Sequence, residues 1–293
     1  MRWTIFSSNH RTLKYLPPIL LFFFLPITLF AQQGDNTVGF SKSMYIPIER
    51  TTVFKIGDRT LNVKIFQYGD VKNIVCINLH DNEGTSVQAA KSVLEQTGGT
   101  LIKIENGRQR VIRFKLGGVF YSFDPNRMFS RIGIEQTLRD NRRIHKNAIL
   151  EIEKFSQQLL SLLPDSTSCI IALHNNTEQA FSIKSYLPGH ERQHDARAVY
   201  EDSLQDMDDI ILTTDSLLYQ QMANNRYNSI WQDNEKAKRD GSLSIFCGET
   251  KRRYINIETQ HGKVDQYIEM LEKLLEILAE ENKVLPDTIP NGQ

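Results

Sequence analysis

Three short, mostly apolar runs, each ending in an ionisable side chain, constrain this sequence more than any other feature. Residues 74–79 deliver His80 and then Glu83, residues 169–173 deliver His174, and residues 254–257 deliver Glu258. A short continuous apolar run bounded by polar residues reads as a strand covered on both faces. In open α/β sheets, ligands gather beyond the carboxyl ends of such central strands. If the three strands are parallel neighbours, His80, Glu83, His174 and Glu258 converge on one edge. Two imidazoles and one carboxylate are a sufficient protein shell for catalytic zinc. A further carboxylate off the metal can act as general base for the attacking water. A lone histidine after a strand is an ordinary capping or surface residue; the joint pattern is what carries weight.

The rest of the chain supplies the frame such strands need. Strand patterns at 52–56 and 61–67 flank Gly57-Asp58, a hairpin turn. Residues 86–96 read as a helix closed by Gly98-Gly99, followed by strands at 100–104 and 111–123. A long helical pattern covers 134–163 and stops at Pro164, and a further strand fits 209–213. Residues 264–282 form an amphipathic helix with Tyr267, Ile268, Leu271, Leu274, Leu275 and Leu278 on its apolar face. No repeat or Gly/Pro/Ser-rich linker divides the chain. The expected fold is therefore one α/β domain over 49–283, a mixed and mostly parallel sheet flanked by helices.

The ends read differently. Arg2, Arg11 and Lys14 precede an apolar run at 19–30 that gives way to Gln32-Gln33 after Ala31. That is the layout of a secretory signal peptide over 1–31, so export to the periplasm or exterior is expected, with no stable membrane anchor after cleavage. Residues 32–48 read as a flexible lead-in and 284–293 as a disordered tail. With 35 basic and 35 acidic side chains, the 293-residue chain shows no charge excess that would point to nucleic acid. Of the three cysteines, Cys76 and Cys169 fall in apolar strand runs and read as buried thiols, not a stapling framework.

One further segment bears on chemistry. Asn126-Arg127, in Asp124-Pro125-Asn126-Arg127-Met128-Phe129, follows a strand and stands between the first His-Glu pair and the second His. A guanidinium fork beside an amide can grip a carboxylate with several hydrogen bonds.

In order and composition these segments resemble the zinc metallocarboxypeptidases of the funnelin type and their amidohydrolase relatives. Members carry His-x-x-Glu, then Asn-Arg in an Asp-x-Asn-Arg-x-Phe context, then a second metal His after a strand, then a catalytic Glu on a late strand. The resemblance spans residues 70–265 and implies a carboxypeptidase-like fold. It implies one zinc ion held by His80, Glu83 and His174, with Glu258 as general base and Arg127 with Asn126 anchoring a substrate carboxylate. The family also uses an upstream Arg to polarise the scissile carbonyl. Arg108, Arg110 and Arg113 all lie in that region, with Arg110 as the working candidate. A substrate-facing tyrosine is expected upstream of the base, where Tyr227 stands. Pro125 and Asn175-Asn176 depart from the family pattern at positions that bear on specificity.

The implied activity is hydrolysis of an amide bond next to a free carboxylate, on a peptide or an acyl amino acid. Alternatives are a deacylase similar to aspartoacylase and succinylglutamate desuccinylase, and a non-catalytic binding module. A rival motif, His190-Glu191-Arg192-Gln193-His194, matches the zincin His-Glu-x-x-His. It follows Pro188-Gly189 and lacks apolar residues to bury a helix, so a solvated polar loop is the expectation there, from which His190, Arg192, His194 or Arg197 could contact substrate.

Overall fold

The computed structural model describes residues 44–164, 168–177 and 181–284. The expected signal peptide over 1–31, most of the expected lead-in and residues 285–293 lie outside the described residues. Residues 44–47 are irregular, and the first strand, β1 (Ile48–Ile56), forms a hairpin with β2 (Arg59–Tyr68). Gly57 turns this hairpin at φ +56°, and a Cβ there would meet the Lys115 carbonyl oxygen at 2.2 Å. A side chain is excluded by backbone conformation and by space alike.

Next come β3 (Ile74–Asn78), α1 (Gly84–Thr97) and β4 (Gly99–Glu105). Residues 111–123 are not one strand. They split at Gly117-Gly118 into β5 (Ile112–Leu116) and β6 (Val119–Phe123), a separate two-stranded sheet. The long helix expected over 134–163 is likewise two, α2 (Arg131–Asp140) and α3 (Lys146–Leu160). Asn141 ends α2 by donating its Nδ2 to the Thr137 carbonyl, and the His145 ring accepts from the Asn147 N–H to start α3. The polar run between them has no apolar face to bury, so the helix breaks there.

The remaining elements are β7 (Cys169–Asn176), β8 (Ala196–Tyr200), β9 (Ile210–Thr213), α4 (Ser216–Asn224), β10 (Ser229–Gln232), α5 (Leu243–Glu249), β11 (Tyr254–Gln260) and α6 (Val264–Val284). The main sheet has nine strands in the order β1-β2-β4-β3-β7-β11-β9-β10-β8. Its centre, β4-β3-β7-β11, is parallel throughout. β2 and β9 flank that block antiparallel, as a mixed sheet requires.

Both faces of the central strands are covered. Val75, Ile77, Ile170 and Ala172 pack with Ile149, Ile152 and Phe155 of α3 on one side. Cys76, Ile171, Leu173, Ile255 and Ile257 pack on the other, against Val93 and Leu94 of α1 and Leu271 and Leu274 of α6. Burying one such leucine contributes roughly 1.5–3 kcal/mol. The result is a single α/β domain in which β3, β7 and β11 are adjacent and parallel. That adjacency is what the three-strand pattern in the sequence requires. Among the described residues, no helix is long and apolar enough to cross a membrane.

Candidate metal centre and cleft

β3 runs into the turn His80–Glu83, closed by the Glu83 N–H donating to the His80 carbonyl at 3.0 Å. Asp81 pins that turn to the end of β4. Its carboxylate accepts the N–H groups of Asn106 (2.7 Å) and Arg108 (2.8 Å) and pairs with Lys103. Glu83 stands at the N-cap of α1 yet makes no capping bond with its side chain. Asn175 of β7 does so instead, its Oδ1 accepting the Ser86 N–H at 3.0 Å. The Glu83 carboxylate is thereby left to face inward.

There it bridges two imidazoles. Glu83 Oε1 lies 2.9 Å from His80 Nδ1, and Oε2 lies 2.9 Å from His174 Nδ1. Arg110 donates Nη1 to the same Oε1 at 2.8 Å. Burial alone would raise the Glu83 pKa, but the two imidazoles outweigh it and hold the carboxylate well below its usual range. All three side chains are buried, and one ligand atom from each lies within 4.8 Å of the others. Among the described residues this is the one such group of His, Cys, Asp or Glu.

The second nitrogen of His80 is the test of whether a metal fits. Nε2 lies 2.7 Å from Asp124 Oδ1, so both ring nitrogens face carboxylates. A neutral imidazole has only one N–H to donate. Burial disfavours a charged ring, yet Glu83 and Asp124 overcome it and push the His80 pKa up. The site therefore wants positive charge at Nδ1, which a proton or a metal cation can supply. A carboxylate behind the far nitrogen of a ligating histidine is the usual support of such a site. The donor set fits a divalent metal.

Beside this group opens a cleft of about 330 Å³. Glu258 of β11 stands in register with His174 of β7 and lines it. Asn256 donates Nδ2 to Glu258 Oε1 at 3.0 Å, and burial raises the Glu258 pKa above its ordinary value.

Asn126 and Arg127 line the same cleft. The Asn126 Oδ1 accepts the Leu243 N–H at 3.0 Å, which fixes the amide with its Nδ2 as the remaining donor. Arg127 donates Nη1 to the Asn126 carbonyl at 2.7 Å, with the nearest carboxylate, Asp240, at 3.6 Å. Of the three upstream arginines only Arg110 lines the cleft, and its guanidinium is engaged by Glu83 and Asp124. Arg108 meets Asp81 through its backbone, and the Arg113 carbonyl accepts from Arg59.

Tyr227 is a correction. Its hydroxyl donates to Glu269 at 3.0 Å within the core beneath α6, away from the cleft. The tyrosines that line the cleft are Tyr186 and Tyr254. The His190–His194 segment forms turns that end in a 3-10 turn, Gln193–Asp195. A zincin site needs both imidazoles on one α-helical face, and this segment has no such face. It sends Arg192, but neither histidine, to the cleft. Asp240, Tyr186 and Asn256 carried no signal in the sequence and reach the cleft from loop and strand positions that no local motif marks, whereas Arg192 was one of the loop residues named as able to contact substrate.

No protein-family model and no curated protein matches the chain. Solved structures do. The chain is similar to an aspartoacylase family protein from Mesorhizobium loti at 13% identity and TM-score 0.42, over 82% of this chain and 69% of that one. It is similar to the tripeptide-bound cell shape determinant Csd4 from Helicobacter pylori at 11% identity and TM-score 0.42, over 82% of this chain and 56% of that one. The aminopeptidase LapA from Legionella pneumophila aligns at 11% identity and TM-score 0.34, over 80% and 59% of the two chains. None of these likenesses assigns an activity to this chain.

Proposed function

We propose that this chain is an exported zinc-dependent hydrolase that cleaves an amide bond next to a free carboxylate. The observation that carries the reading is Glu83 bridging His80 and His174, with Glu258 opposite His174 on the adjoining parallel strand. His80, Glu83 and His174 would hold the ion. Zinc bound there supplies Lewis-acid polarisation of a carbonyl and acidifies water.

The remaining roles belong to the chain's own side chains. Glu258 takes the proton of the attacking water and returns it to the leaving amine. Oε2 is the atom available for this, because Oε1 is held by Asn256. A carboxyl group with a raised pKa is the better suited to accept and then give a proton near neutrality. Arg127 and the Asn126 Nδ2 grip the substrate carboxylate, a planar fork meeting a planar anion. Arg110 neutralises Glu83 and Asp124 at the cleft wall. Export rests on the leader pattern at 1–31.

The cleft volume lies at the low end of small-molecule sites, roughly 300–1,000 Å³. It has room for the end of a short peptide or for an acyl amino acid.

Metal analysis of wild type, Glu258→Gln, His80→Ala and His190→Ala tests the reading. Zinc retained with hydrolysis lost in Glu258→Gln supports it, as does zinc lost in His80→Ala and kept in His190→Ala. A Glu258→Gln protein that stays fully active overturns the general-base role. Equal cleavage of peptides with free and amidated C-termini overturns the carboxylate anchor. Metal bound with no hydrolysis of peptides or acyl amino acids leaves the binding-module alternative.

A further inference from the structure

The segment His190–His194 has no part in the metal centre, yet it places one guanidinium in the cleft. Several arginines elsewhere in the fold are closely matched by carboxylates, although Arg197, outside the cleft, stands 3.7 Å from both Asp233 and Glu235. Arg226 lies 2.7 Å from Asp202, Arg239 lies 2.8 Å from Glu249, and Arg253 lies 2.6 Å from Asp215. Arg110, also lining the cleft, is 2.8 Å from Glu83.

Two cleft arginines are not matched in this way. Arg127 approaches Asp240 only to 3.6 Å, and Arg192 approaches Asp195 only to 3.7 Å, both beyond a good hydrogen bond. Asp240 acts electrostatically on both guanidiniums, so one carboxylate is shared between two cations. Asp195 is partly occupied by the Lys238 N–H at 2.8 Å. Lys238 lines the same wall, so Arg127, Arg192 and Lys238 face two carboxylates there. Over the whole cleft Arg110, Arg127, Arg192 and Lys238 stand against Glu83, Asp195, Asp240 and Glu258, so the surplus of cations is confined to this wall.

Arg192 is also held in place. Its guanidinium carbon lies 5.4 Å from the Phe181 ring centroid and 6.0 Å from that of Tyr186. Its backbone N–H donates to the Ser185 carbonyl at 2.9 Å. An arginine stacked on aromatic rings is partly desolvated and loses little freedom when it binds an anion.

We propose that Arg192 is a specificity-determining residue that binds a second negative charge on the substrate, so the preferred substrate ends in a residue with an acidic side chain. This rests on the amide-hydrolase reading, in which Arg127 takes the terminal carboxylate. Arg192 then takes the side-chain carboxylate. A neutral side chain of the same shape leaves that partly desolvated guanidinium with only the Tyr186 hydroxyl and the loosely placed Asp195, which a site built to bind an anion penalises. A cationic side chain meets like charge.

The test pairs peptides ending in Glu and Gln, and in Asp and Asn, and reads the ratio of kcat/KM within each pair. Wild type should favour the acidic member by roughly tenfold or more, as expected for one charge-assisted pair. Arg192→Gln should bring the ratio close to one. Arg197→Gln, which removes an arginine outside the cleft, should leave it at the wild-type value. A ratio near one in wild type, or an undiminished ratio in Arg192→Gln, overturns the proposal. Calorimetry with glutarate against butyrate on zinc-loaded Glu258→Gln protein gives a readout that needs no turnover. Tighter glutarate binding that is lost with Arg192→Gln, without peptide hydrolysis, sinks the hydrolase reading and keeps this one. Hydrolysis without any preference for glutarate or acidic termini does the reverse.

Discussion

Asp124 Oδ1 sits 2.7 Å from His80 Nε2, on the side of the ring away from Glu83. This contact orients the imidazole and fixes Nδ1 as the atom that faces the other ligands. Asp124 also accepts the Asn126 N–H at 2.8 Å, so one carboxylate sets both a metal-facing ring and the turn that carries Arg127. Removing it should cost the centre its alignment. Asp124→Ala is expected to weaken zinc binding roughly 10–100-fold, the usual effect of losing such a support. Competition with a chromophoric chelator measures this directly. Unchanged affinity would mean that packing alone orients His80.

Asn175 joins the centre to the helix behind it. Its Oδ1 accepts the Ser86 N–H at the start of α1, and its Nδ2 donates to the Thr259 carbonyl at 3.3 Å. Replacing a capping side chain costs about 1 kcal/mol, and this one is buried. Asn175→Ala should therefore lower stability by about 1–2 kcal/mol in denaturant titration. Because α1 begins one residue after Glu83, zinc affinity should fall in the same variant. A stability loss with intact affinity would separate the cap from the ligand.

Glu258 carries a stability cost with a definite sign. Burial raises its folded pKa above its ordinary value, which opposes the ionised form that neutral pH favours. Between the unfolded and the folded pKa the native state binds the extra proton, so stability falls as pH rises through that window. The cost is complete above the folded pKa and absent below the unfolded one. In metal-free protein, Glu258→Gln should melt at a higher temperature than wild type at pH 7. The difference should vanish below about pH 4, under the ordinary glutamate value. A melting temperature that is higher at both pH values would point to packing instead of charge.

The convergence of the candidate ligands was legible in sequence because they sit where strand physics puts them. Runs at 74–79, 169–173 and 254–257 are apolar on both faces, so they had to be central, and parallel central strands bring their ends together. His80, Glu83, His174 and Glu258 follow directly. The cleft wall was not legible. Arg192 lies in a turn whose motif suggests a different metal site, and Asp240 acts on Arg127 across more than a hundred residues with no local pattern. β8 and β10 are short outer strands of the sheet, and α5 is only seven residues long, too brief for a periodic signal. The split of 134–163 was hidden because helix-forming residues continue on both sides of Asn141.

Two glycines hold the cleft-lining Arg127 in place. A Cβ on Gly133 would lie 2.4 Å from the Arg127 carbonyl oxygen, 2.5 Å from the Gly241 Cα and 2.7 Å from the Asp240 carbonyl oxygen. All three are backbone atoms, so no side chain can swing aside to make room. The Phe129 N–H donates to the Gly241 carbonyl at 3.0 Å, which ties the Arg127 turn to the 240–242 loop across this contact. Gly133→Ala must therefore push the two segments apart, moving Arg127 and Asp240 together. Overpacking of this kind typically costs about 1–3 kcal/mol. The kinetic signature should be a rise in KM for substrates with a free carboxylate, while the zinc content stays that of wild type. His80 and Glu83 stand in the turn between β3 and α1 and His174 stands on β7, none of them part of the displaced loops. Loss of zinc in Gly133→Ala would show instead that the loop contact supports the metal centre as well as the anchor.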